Sequence, residues 1–384
     1  MAIPAVIFKR VENTVFATSD QNRAEKLIYT RGLWDPALPT LKTFYTSSTQ
    51  NTNSKSYYYE VWSSASLDCD DVKMFSVAYG NKNGSGSLND GGEVNDTPSR
   101  AVYSQYKLSC LDGDELGFYI SGSSQYREMN HFYAININRD KFGDKLDPGN
   151  FEISLVELSG SAYSNNYFTG SNVQVSSSNK LITLIDDSND PSNKYEFSGR
   201  SSIVRNVVSG TLASGVYISP AGVPISYGLV FPDRGVILLD ADVLNTSASF
   251  NTVTGSNVAG DNSSKLFTSI SGAAVVPNSG FTARAMDIKN QQYVFVRVNN
   301  GDFNYSNNPT YVTSSLTLGD RGMIREDSFK EYPYTYITTV GLYNDLNDLI
   351  AVGKMSRPVI KSPTSELSIT VKLEYLSYAR SIYL

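Results

Sequence analysis

The chain has 384 residues, a length that fits two or three domains rather than one. Hydrophobic residues make up 40%, enough for real cores, but charged residues only 18%, below the roughly 25% usual for soluble domains. A net charge of −6 without a long Lys/Arg block argues against non-specific nucleic-acid binding, no specific nucleic acid is expected as a partner, and no run of about 18 apolar residues is present to span a membrane.

The palette of 26 Tyr against 2 Trp, with abundant Ser, Asn, Thr and Gly, favours strands and polar loops. MAIPAVIFKRVENTVF at the N-terminus lacks the charge pattern and apolar length of a signal peptide, so synthesis in the cytoplasm is expected. Cys69 and Cys110 make neither a disulfide framework nor a zinc site; they read as two buried thiols, with a single disulfide as the alternative.

In chain order, residues 1–50 read as an N-terminal arm or docking segment, with a short helix from Ser19 or Asp20 to Tyr29 closed by Gly32 and a polar loop from Ser47. Residues 51–165 read as a β domain. Its strands are Ser56–Ser64, Val72–Gly80, Glu115–Gly122, His131–Asn138 and Phe151–Leu158. A helix near 98–111 interrupts them: Thr97 offers a cap, Pro98 suits the first helical position, and Val102, Tyr106 and Cys110 share one face that packs on a sheet. Residues 166–285 read as a second β domain with Ser/Asn/Gly-rich loops. Its strands are Lys180–Asp186, Lys194–Gly199, Ser202–Gly210, Gly215–Ser219 and Gly235–Leu244, and a polar insert follows at Asn245–Lys265.

Residues 286–384 read as a C-terminal β domain with strands Gln292–Asn300 and Leu367–Tyr375 and a hairpin at 335–357. In the hairpin, Tyr336, Thr338, Val340 and Leu342 fall on one face and Ile337, Thr339 and Tyr343 on the other, with a turn at Asn344–Asp348. Pro358 cannot donate to a ladder, so the second strand stops there or continues as an edge open to a neighbour's strand. The whole is mainly β, several sandwich or barrel-like domains with one or two short helices.

Residues that could carry chemistry are few. The single histidine, His131, opens a strand and reads as structural. Asp186, Asp187, Asn189 and Asp190, and likewise Asn344, Asp345, Asn347 and Asp348, lack the spacing of a calcium loop and read as turn formers. Asp112, Asp114 and Glu115 read as solvated acids after a helix. No nucleophile elbow, phosphate loop or dinucleotide fingerprint occurs. The expectation is therefore no enzyme: no catalytic residues, no metal and no cofactor.

Several stretches together resemble one family. They are Phe75–Ser87, Ala101–Lys107, His131–Leu155, Tyr227–Asp240, Val296–Tyr311 and the hairpin at 335–357, which contains Val340–Gly353. The combination resembles structural proteins of tailed bacteriophages, particularly T4-like myoviruses infecting marine cyanobacteria. The last stretch is similar to a recurrent element of phage tail-fibre and baseplate attachment modules. The resemblance implies a virion protein of the tail or baseplate, with the neck or collar as an alternative, whose partners are other virion proteins and copies of itself. Tyr305, Tyr311 and Tyr343 are the expected assembly contacts, aromatic side chains combining large contact area with a polar tip, with core or half-buried strand positions as the alternative reading. Two rival functions are recognition of a host surface glycan and cleavage of a polysaccharide by acids brought together from distant strands.

Overall fold

The computed structural model describes residues 5–10, 23–34, 40–41, 58–63, 73–87, 97–113, 115–121, 126–158, 180–189, 204–216, 226–255, 261–273, 279–313, 322–344 and 346–376. The described elements begin with β1 (Ala5–Arg10), β2 (Arg23–Gly32), β3 (Thr40–Leu41), β4 (Tyr58–Trp62), β5 (Lys73–Asn81), α1 (Pro98–Cys110), β6 (Tyr119–Ser121) and β7 (Tyr126–Glu128). They continue with β8 (His131–Ile137), α2 (Arg139–Phe142), β9 (Lys145–Leu146), β10 (Glu152–Val156), β11 (Leu181–Asp186), β12 (Arg205–Thr211), β13 (Gly215–Val216), β14 (Ser226–Phe231) and β15 (Val236–Asp240). The last are α3 (Ala241–Ala248), α4 (Asp261–Ala273), β16 (Phe281–Thr282), β17 (Arg284–Val298), α5 (Asp327–Glu331), β18 (Thr335–Tyr343), β19 (Leu349–Lys361) and β20 (Leu367–Leu376). The protein is mainly β, as the sequence leads one to expect.

Contacts divide the chain into two units, a large one from Tyr29 to Asp287 and a small one made of Met1–Ile28 and Ile288–Leu384. The sequence-based boundary at 165/166 falls inside a single 11-stranded sheet of the large unit, which takes β10 from one side of it and β11 from the other. Its order is β3-β16-β10-β11-β12-β14-β15-β8-β5-β4, with β13 attached to β12. The sheet is curled: Phe75 on β5 lies 5.4 Å from Phe281 on β16, near the opposite end of the order, and Trp34 touches both rings.

Helices cover both faces of this sheet, which is why β14 and β15 are buried along their whole length rather than alternately. On one face α1 lays Val102, Tyr103, Tyr106 and Cys110 on the strands, and the Tyr103 and Tyr106 rings meet Phe132. The approach is close: a Cβ on Gly80 would stand 2.9 Å from the Phe132 ring, so only glycine fits there. Thr97 is the cap residue, but its hydroxyl donates to Gly84 O at 2.6 Å instead of accepting from the helix. Cys110 is a buried thiol beside Ser109, its pKa raised by burial. Cys69 lies outside the described residues.

On the other face sit α3 and α4. The expected strand through Leu244 ends at Asp240, whose carboxylate accepts from Val243 N and starts α3. The supposed polar insert runs into α4, whose Leu266, Phe267 and Ile270 join the main core. Its polar side chains are buried and bonded: Asn262 to Gly86 O and Val253 O, Ser269 to Val156 O, Lys265 to Asn251 O. The expected helix ending at Tyr29 is instead β2, from Arg23; residues 19–22 lie outside the described residues. Pairing beside β17 overrides the helix propensity of its Ala-Glu-Lys-Leu run.

In the small unit, β18 lies between β1, which it pairs in parallel, and β19. The later residues of β17 pair β20 from Lys289↔Leu376 to Val298↔Leu367. Val294, Val296 and Val298 pack against Ile337, Val340 and Leu342, with the inward side chains of β19 and β20 around them, making a small sandwich.

Candidate interaction surface

The β18–β19 hairpin is closed by its own asparagine. Asn344 Oδ1 accepts from Leu346 N at 2.9 Å and Asp348 N at 2.8 Å, while Asn344 N donates to Asp348 O. Asn347 takes the left-handed conformation at φ 64°, which asparagine tolerates. Leu346 stands at the tip, 81% exposed.

Two irregularities shape the strands. The register steps from Ile337↔Val359 to Thr339↔Lys354, so residues 355–358 bulge opposite Thr338. This corrects the alternation read from the sequence: Ile337 turns to the same core as Val340 and Leu342. Pro358 sits within the bulge, where no ladder bond is asked of it, and β19 continues to Lys361. The second step, from Leu342↔Ala351 to Tyr343↔Leu349, leaves Ile350 without a partner on β18.

β19 is the outer strand of its sheet, and among the described residues no strand pairs its far edge. Ile350 and Val352 are 59% and 57% exposed, and Leu349 and Ile360 are exposed beside them. Lys354 and Arg357 are exposed and take part in no ion pair among the described residues. An exposed apolar edge of this kind is a template for another chain. The far end of the strand is anchored by Lys361, which is fully buried and donates to Asn300 O, Asn304 Oδ1 and Ser362 O at 2.6–3.0 Å. Burial lowers its pKa, against the opposing charges of Asp302 and Glu366.

The three expected contact tyrosines part company. Tyr305 is exposed and donates to Gly322 O at 2.8 Å. Tyr311 is buried, stacked on Phe329 with centroids 5.3 Å apart, and its hydroxyl has no hydrogen-bond partner among the described residues. Tyr343 is half-buried at the last rung of the hairpin. Tyr332 and Tyr334, not singled out from the sequence, are both exposed, with rings inclined by only 9° and centroids 6.4 Å apart across Pro333.

In the large unit, His131 bridges a strand pair to a helix. Its Nδ1 lies 3.0 Å from the Tyr79 hydroxyl and its Nε2 2.8 Å from Asp242. Arg127 reaches Asp242 at 3.1 Å and the fully buried Asp240 at 2.6 Å. Partial burial opposes ionisation of Asp242, yet His131 and Arg127 win and hold its pKa below the usual value. Burial, helped by the charge of Asp242 and opposed by Asn81, pushes the Tyr79 hydroxyl up to about 12. Both ring nitrogens of His131 are thus taken by structural contacts.

Asp186 and Asp187 are buried turn acids. Asp186 accepts from Gly149 N and Ser188; Asp187 accepts from Asn206 N and its side-chain amide. Burial raises both carboxyl pKa values despite these bonds. Asp112 and Glu115 lie half-buried after α1; Asp114, Asp190 and Asp345 lie outside the described residues. Among the described residues no group of three or more His, Cys, Asp or Glu side chains is placed to hold a metal ion. No helix there is long and apolar enough to cross a membrane.

Comparison with known proteins returns no match: no family model, no curated protein and no solved structure aligns with this chain. The surface residues that the expected contacts did not include are Leu346, Leu349, Ile350 and Val352. Their signal was present in the run LNDLIAVG, but which flank of the hairpin stays uncovered is not written there.

Proposed function

We propose that this chain is a structural component of a tailed-phage virion, associated with the tail or baseplate, that works by binding rather than catalysis. One observation carries the reading: the edge of β19, which no strand among the described residues pairs, with Leu346, Leu349, Ile350 and Val352 exposed on one hairpin. The stretches resembling phage structural proteins support it, since the same hairpin is among them. Burying a Val, Leu or Ile side chain contributes about 1.5–3 kcal/mol when complete, and repeated copies in a particle multiply modest contacts through avidity.

The test is gold-labelled antibody against the chain on intact purified particles, with detection of the chain in dissolved particles. Label at the baseplate or tail tip supports the proposal; label at the neck keeps the structural class and moves the position. Absence from dissolved particles overturns it. A second reading, host-glycan recognition, draws on the exposed, nearly parallel Tyr332 and Tyr334 rings, which offer faces for stacking. It requires binding to purified envelope polysaccharide that is lost in the Tyr332→Ala/Tyr334→Ala variant.

A further inference from the structure

Lys361 stands apart from the other lysines of the small unit. It ends β19, opposite Thr335 on β18, and is fully buried. Lys289, Lys330 and Lys372 reach solvent, and each meets a carboxylate. Among the described residues Lys361 meets none. Its amine faces neutral oxygens only: Asn300 O at 3.0 Å, Asn304 Oδ1 at 2.8 Å and Ser362 O at 2.6 Å. The acids whose charge it feels are engaged elsewhere, Asp302 with Asn299 and Glu366 with Arg297. A buried ammonium without a counter-ion is costly, so burial favours the neutral amine. A neutral, desolvated lysine amine is a nucleophile.

The side chain set against that amine is a carboxamide. β17 ends at Val298, and the turn after it is fixed locally: Asp302 Oδ2 accepts from Asn299 N and Nδ2, and Asp302 N donates to Asn299 O. Phe303 takes the left-handed conformation at φ 54°. The Thr335 hydroxyl donates to Phe303 O at 2.5 Å, which ties this turn to the rung that carries Lys361. Asn304 follows. Its Nδ2 donates to Asn300 O at 2.6 Å, while its Oδ1 accepts from Lys361. A flipped amide would set its oxygen against the Asn300 carbonyl oxygen, so the orientation is fixed. Asn300 O thus gathers both nitrogens, and the amine rests against the amide carbonyl.

We propose that Lys361 and Asn304 close an intramolecular amide bond, from Lys361 Nζ to Asn304 Cγ, with loss of ammonia. The neutral amine attacks Cγ; the Nζ–Cγ bond forms and the Cγ–Nδ2 bond breaks. One hydrogen of the amine passes to Nδ2, which leaves as ammonia. Nothing is oxidised or reduced, and no co-reactant is consumed. The fold holds both groups in contact, which replaces a chance encounter by a standing one. The bond joins the end of β19 to the turn after β17, and these strands belong to the two sheets of the small sandwich. A hydrogen-bonded anchor of the β19 edge becomes a covalent one.

The test is the intact mass of the purified full chain under denaturing conditions, followed by a protease digest. The wild-type chain is expected to be lighter than its sequence by one ammonia. Its digest is expected to contain one branched peptide in which the Asn304 and Lys361 fragments are joined. Lys361→Arg and Asn304→Ala each restore the full mass and separate the fragments. Lys354→Arg, at an exposed position away from the pair, keeps both signatures. The branched peptide distinguishes this bond from ammonia lost by ring closure at Asn300-Gly301, which joins no fragments. A wild-type chain of full mass overturns the inference, and so does a lighter chain whose Asn304 and Lys361 fragments are separate. Both readouts are made on the wild-type chain, so neither depends on the folding of a variant.

Discussion

The sheets of the two units meet their surroundings differently. In the large unit α1 lies on one face of the curled sheet and α3 and α4 on the other, so Ser226–Phe231 and Val236–Asp240 are buried at every position. In the small unit β19 alternates, because the sandwich core covers only its inner face. The same kinds of residue, Val, Ile and Leu, are therefore core in one place and open surface in the other. Coverage, not hydrophobicity, decides where this chain can still bind.

Substitutions break or sharpen that contrast. The largest effect is expected at Phe132, fully buried among Tyr103, Tyr106 and Phe118: Phe132→Ala lowers stability by about 3–5 kcal/mol in urea unfolding. A loss below about 1 kcal/mol would show that the ring cluster under α1 is not the packed core described here. Ile337→Ala, on the inner face of the hairpin, costs about 2–5 kcal/mol. Val352→Asp, on the same hairpin's outer face, changes stability by no more than about 0.5 kcal/mol. Equal losses at the two positions would erase the distinction between the faces.

Lys361→Met leaves the oxygens of Asn300, Asn304 and Ser362 without their donor and costs about 1–3 kcal/mol, read as a lower melting temperature. The smallest effect is a slope. Burial raises the folded-state pKa values of Asp186 and Asp187 above their ordinary 3.8, so the folded chain holds protons that the unfolded chain has released. Their contribution is present below 3.8 and is lost as pH rises through the raised values. Asp187→Asn removes its share of that decline; an unchanged stability–pH profile across the acid range would contradict the assignment.

Much of the local structure was legible. Pro98 and the spacing of Val102, Tyr106 and Cys110 announce α1, and the turn asparagines announce the hairpin. Three features were not. The Arg23–Gly32 stretch carries helix formers, and only a neighbouring strand makes it β2. α4 is rich in serine and looks like loop, because the backbone and side-chain groups that satisfy its buried polar atoms lie far away in sequence. The bulge at Thr338 reverses which hairpin residues face the core, and it depends on the pairing of two strands rather than on either alone. The candidate surface was half legible: Pro358 announced an edge, but the tyrosines chosen as contacts include Tyr311, which lies inside.

The sequence by itself determined the mainly β composition and the placement of α1 and the hairpin. These follow from periodicity, turn chemistry and residue spacing along a single strand. Tertiary structure alone decided that one curled sheet spans the middle of the chain, that helices bury both its faces, and that no described strand pairs the outer edge of β19. Burial is a property of what packs against a strand, and those partners come from segments hundreds of residues apart, as Phe75 and Phe281 do.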